Sequence, residues 1–140
     1  MADIALVAAQ VDAVKPEISE IMDVTLAEAV TRGQALYLVS SGKYGVADAN
    51  AAGKQQFRGI ALRAGAAGET IPMLKRGPVA GYTLTSQAYD APIYLSDTAG
   101  ALADGAGTMT VVAGRVIPMN DAPNFTKVLW VESDYSKIWA

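Results

Sequence analysis

The stretch Phe57–Tyr82 constrains the fold of this chain more than any other. Short apolar runs there are cut by Gly65-Ala66-Ala67-Gly68 and by Gly77-Pro78. Glycine and proline are the strongest local breakers of regular structure, so the stretch reads as strand, tight turn, strand, turn, strand. In Phe57–Arg63, Ile60 and Leu62 share one face while Ala61 and Arg63 share the other, as pleated alternation requires. In Thr70–Leu74, Ile71 and Met73 share a face, but Pro72 lies inside the run. A proline cannot donate to a ladder, which predicts an edge strand or one paired on a single side. Val79–Leu84 follows as a third strand, with Gly81 as a bulge or a point of close approach.

The same pattern continues on both sides. Ala35–Val39 and Tyr44–Ala47 read as strands joined by the turn Ser40-Ser41-Gly42-Lys43, and Asp48–Gln55 as a loop of small residues. Thr25-Leu26-Ala27-Glu28 matches a capping box, and reads as a turn or one short helical turn. Beyond Tyr82, strands are expected at Ala91–Leu95, Ala101–Ala103, Thr108–Pro118 (interrupted at Gly114) and Phe125–Glu132. A loop is expected at Asn120–Asn124 and a tight turn at Asp104-Gly105-Ala106-Gly107. Val128-Leu129-Trp130-Val131 is apolar on both faces, so that strand lies inside a sandwich or against a partner subunit.

The second half echoes the first at a spacing of roughly 55–57 residues. Ala35-Leu36-Tyr37-Leu38 resembles Pro92-Ile93-Tyr94-Leu95, and Gly45-Val46-Ala47-Asp48 resembles Ala101-Leu102-Ala103-Asp104. Arg58–Leu62 resembles Ala113–Ile117, and Glu69–Met73 resembles Thr126–Trp130. Two such four-strand units can pair to close a small barrel or sandwich, which removes exposed edges. The expected fold is therefore all-β, a small β-barrel or sandwich of about eight to nine short strands.

Residues 1–24 stand apart as an N-terminal arm, with the β domain spanning 25–140. Met1–Val14 is small and apolar; Lys15-Pro16-Glu17 interrupts it, and Ile18, Ile21 and Met22 then follow at helical spacing. Pro16 suits a helix start because its missing N–H is not needed there. The arm is either an ordinary first strand or an extended segment that packs on a neighbour by adding to a sheet edge.

Composition narrows the function classes. Hydrophobic residues make up 51% of the 140 and charged residues only 18%, so part of the surface is expected to be covered by other protein. The net charge is −3 and Lys75-Arg76 is the only adjacent basic pair, which argues against nucleic-acid binding. Ile4–Ala9 is too short and lacks the basic flank of a signal peptide, and no apolar run reaches membrane-spanning length. With no histidine and no cysteine, the usual general base, the commonest metal ligand and the thiolate nucleophile are all missing. Ser40–Lys43 offers serine and lysine in a turn without an apolar pocket. Asp97, Asp104, Asp121, Glu132 and Asp134 fall at turns or strand ends, where carboxylates do turn chemistry. Gly65–Gly68 lacks the Lys-Ser/Thr and the helix of a phosphate loop. No enzyme, cofactor or metal site is expected. In the tail Ser133–Ala140, Tyr135 and Trp139 are not built for solvent; Trp139 either folds back on its own core or anchors in a partner's pocket.

The motifs Gly33–Leu38, Gly45–Ala49, Gly59–Leu62, Gly68–Pro72 and Lys75–Gly81 together resemble the capsid cement, or head decoration, proteins of tailed bacteriophages. The resemblance covers residues 30–84 and reaches the second half through the repeat. It implies a structural virion protein on the outer surface of the mature head, made in the host cytoplasm. It implies a homotrimer bound to the major capsid protein at capsomer junctions, without nucleic acid or membrane as partner. On that reading Ile4, Leu6, Val7 and Val11 are the expected capsid contacts, and Leu129, Trp130, Val131 and Trp139 the expected subunit interface. The competing class is a receptor- or carbohydrate-binding module of a phage fibre.

Overall fold

The computed structural model describes residues 2–121 and 124–139. Its strands, in chain order, are β1 (Asp12–Ala13), β2 (Glu20–Thr25), β3 (Ala35–Leu38), β4 (Tyr44–Val46), β5 (Phe57–Ala61), β6 (Thr70–Ala80), β7 (Pro92–Leu95), β8 (Leu102–Ala103), β9 (Val112–Asp121) and β10 (Asn124–Glu132). They form one antiparallel sheet in the order β4-β3-β5-β6-β10-β9-β7-β8, with β1 and β2 also paired to β6. The all-β expectation holds. The sheet curls into a half-barrel, and its two ends are tied by loop backbone. Ala35 N donates to Gly100 O at 2.9 Å, Gly100 N to Ala47 O at 2.7 Å, and Ala49 N to Ser96 O at 3.0 Å.

β6 is the spine. Sequence reading placed a turn at Gly77-Pro78; instead Thr70–Ala80 runs as one strand of 11 residues. Gly77 bends it through a positive φ of 136°, a conformation open to glycine. β2 and β1 lie end to end along one edge of β6, and β5 and β10 along the other. Pro72 is therefore not on a sheet edge: Asp23 of β2 faces it on one side, and Leu62 N donates to its carbonyl at 3.0 Å on the other. β5 has ended at Ala61, so the missing proline N–H falls where the neighbouring strand has stopped.

The internal repeat is present in the pairing. Leu36 faces Gly59, the register then slips, and Tyr37 faces Phe57. Ile93 faces Gly114, the register slips at the same place, and Tyr94 faces Val112. The next pairs also correspond, Ala61 with Met73 and Val116 with Leu129. Met73 thus corresponds to Leu129, one residue from its partner by sequence likeness, Trp130.

Alternation splits the apolar residues into two cores. Ile60, Leu74, Val79, Ile93, Leu95, Val116, Leu129 and Val131 fill the inside of the curl. Leu36, Ala61, Ile71 and Met73 point to the other face, where Val24, Leu26 and Val30 cover them.

Residues 2–24 belong to this body. Ile4 N donates to Leu102 O at 2.8 Å, Val7 N to Gly81 O at 2.9 Å, and Thr83 N to Ala5 O at 2.8 Å. The segment straps β8 to β6 and then continues, through a 3-10 turn at Pro16–Ile18, into β2. The helix start expected at Pro16 is realised as that single turn, and Ile21 and Met22 lie on a strand. The boundary expected after residue 24 falls inside β2, so arm and barrel share one sheet.

Candidate interaction surfaces

The expected capsid contacts divide. Ile4 and Val11 are buried in the inner core, and Leu6 packs against it. Only Val7 is well exposed. The cause is a slot made by two glycines in left-handed conformation, Gly33 (φ +94°) and Gly81 (φ +99°), over which Val11 lies. Arg32 Nε closes it by donating to Val11 O at 2.5 Å.

The exposed apolar surface of the arm lies further along. Ile18, in the turn before β2, is 57% exposed; within β2, Ile21 is 42% exposed beside Leu74 on one face and Met22 39% exposed beside Met73 on the other. Among the described residues, β2 pairs only with β6, and the outer edge of Glu20–Thr25 carries no strand. An unpaired edge next to exposed apolar side chains is a template for a further strand. Sequence reading noted Ile18, Ile21 and Met22 by spacing but assigned contact to the residues before them.

Charge brackets this edge. Glu20 meets Lys75 at 3.1 Å and Arg76 at 3.5 Å, while Arg76 Nε reaches Glu132 at 2.8 Å. Hydrogen bonding and charge from Lys75 hold the Glu20 carboxyl below its usual range. Lys75 is the extra residue where the β2–β6 register slips, which turns its side chain toward Glu20.

The expected subunit interface also divides. Leu129 and Val131 are fully buried in the chain's own core, so the run that is apolar on both faces is covered on its inner side by its own barrel. Trp130 points to the other face, half-buried. There it lines a groove of about 400 Å³ together with Trp139. β9 supplies the floor at Gly114, and Arg115, Glu132 and Lys137 stand among the walls.

Trp139 folds back, as one of the two readings of the tail had it, packing partly against the inner core. Its backbone is pinned at both polar groups: its N–H donates to Gln56 Oε1 at 2.9 Å, and its carbonyl accepts from Gln56 Nε2 at 2.9 Å. Arg58 donates to the carbonyl of Asp134 at 2.9 Å. Tyr135 bonds the Tyr44 hydroxyl at 3.0 Å, with the Arg58 and Lys75 cations each 5.2 Å from its ring centre. Burial, followed by the Tyr44 hydrogen bond, pushes the Tyr135 phenol well above its ordinary value. The Lys137 ammonium sits 4.8 Å over the Trp139 ring, and Trp130 Nε1 donates to Glu132 at 3.2 Å.

The remaining polar candidates have local work. Asp97 closes a turn by accepting from Thr108 N at 2.7 Å and Thr108 Oγ1 at 2.9 Å. Asp104 accepts from Ala2 N at 2.8 Å. Asp134 accepts from Ser136, which lowers its carboxyl. Lys43 and Ser41 are exposed at the tip of the β3–β4 hairpin. The side chain of Asp121 lies outside the described residues. Among the described residues, no group of three acidic side chains is placed to hold a metal ion, and no helix is long and apolar enough to cross a membrane.

Compared with family models, with curated proteins and with solved structures, the chain matches none.

Proposed function

We propose that this chain is a structural virion protein that binds the outside of a tailed-phage head and stabilises capsomer junctions by contacting the major capsid protein. The observation that carries this reading is the free outer edge of β2 beside exposed Ile18, Ile21 and Met22. An extended capsid segment adding to that edge gains main-chain hydrogen bonds, while the apolar side chains beside it set the fit. A shell under pressure parts at capsomer boundaries. A small rigid barrel bridging several subunits gains avidity, because each contact after the first is effectively intramolecular. The low share of charged residues, 18%, suits a protein that spends its working life partly covered.

The family resemblance in residues 30–84 supports the same assignment and adds a homotrimer as the expected assembly. Leu129 and Val131 are not available to a trimer seam, being in the barrel core. The test is sedimentation of purified protein with expanded phage shells, comparing wild type with a chain carrying Ile21→Ser and Met22→Ser. Wild type should co-sediment and the double variant should not. Equal occupancy by the two would remove β2 from the account, and absence of wild-type binding would remove the shell.

A further inference from the structure

We propose that the groove between Trp130 and Trp139 binds a neutral hexopyranose unit of a glycan. Its volume of about 400 Å³ is that of a small-ligand site. Both tryptophans of the chain line it. A pyranose ring has an apolar face of C–H groups and a rim of hydroxyls. The half-buried Trp130 indole covers the first, with Trp139 as the wall beside it. Arg115, Glu132, Asp134 and Lys137 around the groove offer donors and acceptors for the second.

Other ligand chemistries fit less well. A cation would seek an indole face, but the Lys137 ammonium already stands over Trp139 at 4.8 Å. An anion would meet the carboxylates of Asp90 and Asp134 beside Arg115 and Lys137, with Glu132 paired to Arg76, so the groove offers no excess of positive charge. A purely apolar segment would strip water from the exposed Arg115, Glu132, Asp134 and Lys137 without offering new hydrogen bonds, which is costly. A sugar leaves them hydrogen-bonded. The site is also pre-organised: the Gln56 side chain holds the Trp139 backbone, and Glu132 holds the Trp130 indole N–H. A rigid platform loses little side-chain entropy on binding.

Arg76 links Glu132 of the groove to Glu20 of β2, but the test uses free protein without shells, so it does not rest on the shell-binding reading. Because the chain has two tryptophans and both line the groove, intrinsic fluorescence reports on this site alone. Wild type, Trp130→Leu and Arg115→Ala are titrated with maltose, cellobiose, lactose and diacetylchitobiose. Arg115 is exposed, so its replacement leaves the fold standing if Trp130→Leu does not. At least one sugar should shift the wild-type emission saturably at about millimolar concentration, with Arg115→Ala weakening binding by roughly tenfold. The proposal is overturned if none of the four sugars gives a saturable change, or if Arg115→Ala responds as wild type does. It is equally overturned if emission shifts with protein concentration alone, since a second copy would then fill the groove.

Discussion

The backbone of Val11 crosses directly over the α-carbon of Gly81. A side chain at Gly81 would bring its first carbon 2.7 Å from the Val11 nitrogen and 2.8 Å from its α-carbon. Gly81 also holds a φ of +99°. The closeness of this crossing decides whether the N-terminal segment leaves the barrel or straps it.

Gly81→Ala should therefore lose stability twice, through strained backbone and through the displaced strap, by about 3 kcal/mol or more. Gly68 is the control. It has a similar φ of +89° with nothing within 4 Å of a new carbon, so Gly68→Ala should cost only about 1 kcal/mol. Urea unfolding midpoints compare the two. Equal losses would mean that Val11 does not press on Gly81.

The division of the arm into buried and exposed residues makes a second contrast. Val11 is fully buried, and Val11→Ala should cost about 2 kcal/mol by removing packed methyl groups. Val7 is 49% exposed, and Val7→Ala should stay within about 0.5 kcal/mol. Thermal melts of the two variants check this. It follows that a chain lacking residues 2–14 should unfold, so loss of shell binding by such a deletion would say nothing about contact.

Gly114 supports both the sheet and the groove. A carbon added there would run into the carbonyl of Trp130 on the paired strand. Gly114→Ala should prise β9 from β10, at a cost of about 4 kcal/mol or more. Because Trp130 lies at the contact, its emission should move to longer wavelength before global unfolding is complete. An unchanged spectrum and melting temperature would count against this close approach.

Alkaline pH should weaken the fold through Tyr82. Its hydroxyl donates to Gly33 O at 2.7 Å, and burial raises its pKa well above the usual 10.0. A group whose folded pKa is raised adds stability that is complete below its unfolded pKa and is lost as pH rises toward the folded value. Stability should thus hold up to about pH 10 and fall above it. Tyr82→Phe should start less stable at pH 8, having lost one buried hydrogen bond, yet decline less steeply from there. Parallel declines in the urea midpoint would assign the alkaline loss elsewhere.

Glycine spacing, pleated alternation and the internal echo by themselves specified an all-β chain, most of its strands and a repeat whose shared bulge lies at Leu36/Tyr37 and Ile93/Tyr94. Those features are local, or are copied along the chain, so the sequence carries them openly. The fate of each apolar residue was not local. Ile4 and Val11 looked free because the slot that takes Val11 is made by Gly33 and Gly81, both distant in sequence. Leu129 and Val131 looked like a subunit seam because pairing with β6, which turns them inward, is invisible in a run apolar on both faces. Pro72 implied an edge or one-sided pairing; that β2 pairs it on one side while β5 ends on the other cannot be read from β6 alone. Trp130 and Trp139 were each singled out alone; only folding of the tail onto Gln56 made them walls of one groove. Sequence set which segments are strands, and tertiary structure decided what each one covers, because burial depends on the partner across the sheet.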